Sequence, residues 1–166
     1  MLRPDPFGQT LGITLLLLDC DGVMTDGRLH FGAKGEELKV FDVQDGHGIV
    51  EWVRAGNYVA IISGRDSEIV SVRAQELGVQ IVRQRVKDKV AAASEICGEL
   101  GLSLGQSAFI GDDIPDLDLI KTVAFGVAVA NAVEEVKAAA DHVTTREGGR
   151  GAVREVVDLI LGARTC

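Results

Sequence analysis

Six short runs of almost wholly apolar residues, at 13–18, 58–62, 79–82, 108–110, 125–129 and 142–144, alternate with stretches of helical periodicity. Those helical stretches fall at 48–55, 67–77, 89–100, 116–122, 132–139 and 152–161. A strand with one wet face alternates apolar and polar residues, whereas a run such as Leu15-Leu16-Leu17-Leu18 must be covered on both faces. Covered strands alternating with helices imply an α/β fold: a doubly wound, Rossmann-like parallel sheet between two helix layers. Gly56, Gly78 and Gly101 stand where left-handed helix C-caps are wanted. At 166 residues, the expected organisation is one domain over 1–166, with a short N-terminal lead at 1–10.

Residues 28–43 break this rhythm. Leu29, Phe31, Leu38, Val40, Phe41 and Val43 surround the turn Gly32-Ala33-Lys34-Gly35, which predicts a small β-hairpin insert in place of a cap domain.

In an open α/β sheet, ligands bind beyond the carboxyl ends of the strands, so the residues that follow each apolar run come first. The first run delivers Asp19-Cys20-Asp21-Gly22, the second Ser63-Gly64-Arg65, and the fourth Gly111-Asp112-Asp113-Ile114-Pro115-Asp116, while Lys89 opens the helix after the third. Residues i and i+2 of an extended segment point the same way, so Asp19 and Asp21 address one region and Cys20 faces the core. Asp112 adds to this anionic cluster. Carboxylates so placed repel unless a cation compensates, and a hard, oxygen-only site suits Mg²⁺. Helix capping is an adequate account of Asp66, but not of five acids gathered at two strand ends.

Composition narrows the partners. A net charge of -8 argues against nucleic acid, whose backbone is held by clustered Lys and Arg. The longest apolar run, 11–18, is far too short for a membrane span and is followed by no signal-cleavage pattern, so a cytoplasmic protein is expected. Three cysteines, Cys20, Cys97 and Cys166, suggest free thiols rather than a disulfide or zinc framework.

The ordered set Asp19-x-Asp21-Gly22-Val23-x-Thr25, Ser63, Lys89 and Gly111-Asp112-Asp113-x-x-Asp116 resembles the four motifs of the haloacid dehalogenase superfamily. Further blocks, Thr25-Asp26-Gly27, Asp45-Gly46-His47-Gly48-Ile49, Ser63-Gly64-Arg65-x-Ser67, Arg73 and Gly148-Gly149-Arg150-Gly151, resemble its 3-deoxy-D-manno-octulosonate 8-phosphate phosphatases. The resemblance implies a phosphatase in which Asp19 is the nucleophile and Asp21 the general acid and base. It implies Mg²⁺ held by Asp19, Asp112 and the Asp21 carbonyl, supported by Asp113 and Asp116. Ser63 and Lys89 would bind the phosphoryl group, and Gly64, Arg65 and Arg73 would contact a small anionic sugar phosphate. It also implies a homotetramer in which a neighbouring subunit completes the site.

Val82-Arg83-Gln84-Arg85 departs from the family's more usual glycine, which leaves a nine-carbon, sialic-acid-type sugar 9-phosphate as an alternative substrate. A phosphoacceptor signalling domain is the alternative of another class. The motif order disfavours it, because such a domain has no second acid two residues beyond its acceptor Asp. His47, between two glycines, is left with two readings, a substrate contact or a residue of a flexible turn.

Overall fold

The computed structural model describes Thr10 and residues 12–164; the proposed lead at 1–10 lies almost wholly outside these residues, as does Cys166. Among the described residues eight strands form, in chain order β1 (Leu15–Leu18), β2 (His30–Gly32), β3 (Gly35–Leu38), β4 (Tyr58–Ile62), β5 (Ile81–Arg83), β6 (Ser107–Gly111), β7 (Phe125–Ala128) and β8 (His142–Val143). Six of them build one parallel sheet in the order β5-β4-β1-β6-β7-β8. The order reverses at β1, which pairs Leu15 with Tyr58 on one side and with Ser107 on the other. The crevice where ligands enter such sheets therefore opens beyond the carboxyl ends of β1 and β6.

Every residue of β1 has 0% exposure. Its four leucines are covered on both faces, which is why they need not alternate. The helices are α1 (Val43–Arg54), α2 (Glu68–Leu77), α3 (Lys89–Leu100), α4 (Leu117–Thr122), α5 (Glu134–Ala139) and α6 (Ala152–Ala163). One layer holds α6, α1 and α2, and the other holds α3, α4 and α5. Among the described residues no helix is long and apolar enough to cross a membrane.

The helix expected at 48–55 begins earlier, at Val43. The Asp42 carboxylate accepts from the amides of Gln44 (2.6 Å) and Asp45 (3.2 Å), a strong N-cap, so His47 sits on an exposed helix face rather than in a turn. Gly46 and Gly48 are poor helix formers, but packing decides. A methyl at Gly46 would land on the Arg73 guanidinium, and one at Gly48 would come within 3.1 Å of Arg154. Asp66 does not cap α2. The cap position falls on Ser67, and Asp66 pairs with Arg85 instead.

The hairpin forms as expected, β2 pairing antiparallel with β3 about its glycine-flanked turn. Three of its apolar residues are largely exposed, Phe31 at 58%, Leu38 at 51% and Val40 at 59%, whereas Phe41 packs against the core.

The glycine-rich loop before α6 buttresses the turn after β1. Gly149 N donates to Val23 O (2.8 Å), and a methyl on Gly148 would collide with the Gly22 carbonyl. The buried Asp45 carboxylate accepts from Gly151 N and Arg154 N, which fastens the same loop to α1. Gly148→Ala is expected to destabilise the protein by about 1–3 kcal/mol, the usual cost of overpacking, read as a lower urea midpoint. An unchanged midpoint would remove the buttress.

Candidate active site

Asp19 directly follows β1 with 7% exposure, its amide donating to Ile110 O (3.1 Å). Lys89, the first residue of α3, reaches back under the strand ends. Its ammonium donates to Asp19 Oδ1 (2.6 Å) and to Asp116 Oδ1 (2.5 Å). The second Asp116 oxygen accepts from the amides of Asp112 (2.9 Å) and Asp113 (3.2 Å), so Asp116 ties Lys89 to the loop after β6. Asp113 caps the short turn beyond it, accepting from Ile114 N (2.8 Å). Gly22, at φ +95°, leaves the space that the Asp112 carboxylate fills.

Oxygens of Asp19, Asp112 and Asp116 all lie within 4.8 Å of one another. Burial, then the Asp19, Asp116 and Asp113 charges, push the Asp112 carboxyl up to about 8. Burial also raises Asp19, to about 6, although Lys89 pulls against it. Burial alone would lower the Lys89 ammonium, but Asp19 and Asp116 outweigh it and hold its pKa raised. The cluster thus carries more negative charge than Lys89 neutralises, which fits a divalent cation bound by hard oxygens. Asp19 and Asp112 are the better ligands, because both Asp116 oxygens are engaged by protein donors.

A cavity of about 560 Å³ opens over this cluster and is lined by Asp19, Asp21, Ser63, Arg65, Lys89 and Asp112, with Gly64, Asp113 and Asp116 at its walls. Ser63 Oγ accepts from Arg65 N (3.2 Å), which leaves its hydroxyl proton to donate elsewhere. Arg73 is not at this cavity. It lies on α2 over the Phe41 ring (5.7 Å), paired with Glu76 (2.8 Å), in a separate groove lined by Val43, Gly46 and His47.

The side chain of Asp21 stands apart from the acid cluster, its Oδ1 bonded to Lys39 and its Oδ2 lying 3.4 Å from Arg65 Nε. Lys39 does not figure in the motif set, yet a signal for it existed. It is out of phase with Leu38 and Val40, so when their side chains turn outward its own turns in, and it is 8% exposed.

Residues 66–156, over half of the chain, match the haloacid dehalogenase-like hydrolase family. This chain belongs to that family. Within the haloacid dehalogenase-like hydrolases it is 43% identical over 160 residues to 3-deoxy-D-manno-octulosonate 8-phosphate phosphatase KdsC of Yersinia pestis, covering 96% of this chain and 86% of that one. A crystal structure of the phosphatase of the same name from Moraxella catarrhalis, in complex with magnesium, phosphate and KDO, matches with TM-score 0.94. It shares 41% identity and covers 96% of this chain and 92% of that one. A cobalt-bound form of the deoxy-D-mannose-octulosonate 8-phosphate phosphatase from Haemophilus influenzae matches with TM-score 0.92 and 40% identity, over 95% of this chain and 92% of that one.

Proposed function

We propose that this hydrolase, a phosphoric monoester hydrolase rather than a phosphoacceptor signalling domain, cleaves 3-deoxy-D-manno-octulosonate 8-phosphate through an aspartyl-phosphate on Asp19. The observation that carries the proposal is the unlike surroundings of two neighbouring carboxylates. Asp19 is buried against Lys89 and Asp112, whereas Asp21 stands outside that cluster between two other cations. Paired acids with such different environments suit different roles.

Asp19 attacks phosphorus as the bond from phosphorus to the sugar oxygen breaks, and Asp21 gives its proton to the departing oxygen. Water then attacks the aspartyl-phosphate, its proton passes to Asp21, and the bond from phosphorus to Asp19 breaks. Both acids return to their starting states. Lys89 spends two donors on Asp19 and Asp116 and keeps a third for a phosphoryl oxygen; the Ser63 hydroxyl supplies another. Mg²⁺ bound by Asp19, Asp112 and the Asp21 carbonyl supplies neutralisation of phosphoryl charge when present. Arg65 offers a planar guanidinium to the sugar carboxylate at the cavity wall.

The exposed Phe31, Leu38 and Val40 of the hairpin support assembly into a homotetramer, in which neighbouring hairpins cover one another and close the cavity.

Phosphate release from eight-carbon and nine-carbon 2-keto-3-deoxy sugar phosphates tests the substrate. The eight-carbon ester is expected to show kcat/KM at least about tenfold higher, within the range that one pocket can discriminate. A reversed ratio would move the assignment to the nine-carbon sugar.

A further inference from the structure

Both cations that grip Asp21 belong to, or rest on, the β-hairpin. Lys39 leaves β3 at its base and carries an ammonium to Asp21 Oδ1, with only 2% of its side chain exposed. Arg65, 3.4 Å from Oδ2, has its guanidinium 5.6 Å above the Phe31 ring of β2. A lysine at a surface hairpin ordinarily extends into water; burying its ammonium is unfavourable unless a close anion compensates. The hairpin thus inserts one charge into the domain, and the charge meets the acid proposed to move protons. An aspartate at the start of a loop has two side-chain torsions to fix, and a bond to one oxygen fixes both.

We propose that Lys39 is a positioning residue for Asp21: by holding Oδ1 it keeps Oδ2 aimed at the oxygen that leaves and at the water that attacks, so the seating of the hairpin governs proton transfer. This rests on the acid and base role proposed for Asp21. Lys39 touches no reacting atom in this scheme, and its effect passes wholly through Asp21.

The two chemical steps depend on Asp21 differently according to the leaving group. With p-nitrophenyl phosphate, p-nitrophenolate departs as a stable anion and takes no proton, so the first step does not need the acid. The second step, attack of water on the aspartyl-phosphate, still needs the base. With the sugar phosphate, both steps need Asp21.

Lys39→Met, assayed with Mg²⁺ in rapid mixing, is therefore expected to release the first equivalent of p-nitrophenolate within about threefold of the parent rate. Its steady-state turnover should then fall by about 30-fold, part of the roughly 10²–10⁴ that proton transfer supplies, and phosphoenzyme should accumulate. On the sugar phosphate, even the first turnover should fall about 30-fold. Lys39→Arg, which keeps the charge, should recover at least about tenfold of that loss. A parallel fall of burst and steady state, or no fall, would overturn the assignment, as would a folded Lys39→Arg no better than Lys39→Met. Asp19→Asn run beside them separates the two levels. Continued turnover there defeats the aspartyl-phosphate reading itself, whereas an inactive Asp19→Asn with parallel losses in Lys39→Met defeats only the role of Lys39.

Discussion

Asp19→Asn is expected to lower phosphate release by about 10⁴-fold or more while leaving the fold intact. The amide has nearly the shape of the carboxylate, and its oxygen can still accept from Lys89, so the cavity keeps its geometry. A neutral amide oxygen, however, is a poor nucleophile toward an anionic phosphoryl group. Stability should move the other way. Asp19 is buried with its pKa raised to about 6, so removing its charge relieves first the cost of burying it and then its repulsion with Asp116 in the metal-free protein. The variant without metal should therefore melt at or above the parent at pH 8, measured by thermal unfolding. Steady phosphate release from a folded Asp19→Asn would exclude Asp19 as the phosphoryl acceptor.

The parallel sheet was legible because its strands are buried on both faces, and that requirement writes itself into Leu15–Leu18 as an unbroken apolar run. The convergence of Asp19, Ser63, Lys89 and Asp112 on one crevice was legible for a related reason. Each follows a strand end or opens the next helix, and parallel strands bring all those ends to one edge. What the sequence concealed depends on contacts between distant segments. The helix was expected only from Gly48, because Gly46 is a poor helix former, and the nearness of Arg73 to Gly46 and of Arg154 to Gly48 shows why glycines stand inside α1. Asp66 read as a cap, but Arg85, at a left-handed φ of 58°, was within reach to pair with it. Arg73 matched a family block, yet it faces α1 and Phe41 rather than the cavity. Lys39 belongs to no motif, and its place against Asp21 depends on how the hairpin sits on the domain. Here the apolar face is the outer one.

Chelating divalent metal is expected to abolish turnover and to expose a specific dependence of stability on pH. Asp112 has a folded pKa of about 8 and Asp19 of about 6, against an ordinary 3.8. Between the ordinary and the folded values the native state holds protons that the unfolded chain has released, so stability falls as pH rises. That contribution is complete below about pH 4 and is lost as the pH climbs through about 6 and then about 8. Asp45, also raised by burial, acts in the same direction. Glu155 is lowered, mainly by bonds from Thr145 and Arg146 that outweigh its burial; it loses its contribution only in acid, outside this window. A cation that binds the ionised carboxylates reverses the loss, because a ligand of the native state alone stabilises it. Thermal unfolding at pH 5 and pH 8, with chelator or with Mg²⁺, should therefore show the metal-free melting temperature falling toward pH 8. The increment from Mg²⁺ should be larger at pH 8 than at pH 5. Asp112→Asn should flatten the metal-free slope and shrink the Mg²⁺ increment, leaving the contributions of Asp19 and Asp45. A metal-free melting temperature that rises over this interval, or an equal Mg²⁺ increment at both pH values, would mean that the cluster is not the cation site. Turnover unaffected by chelation would remove the metal from the reaction.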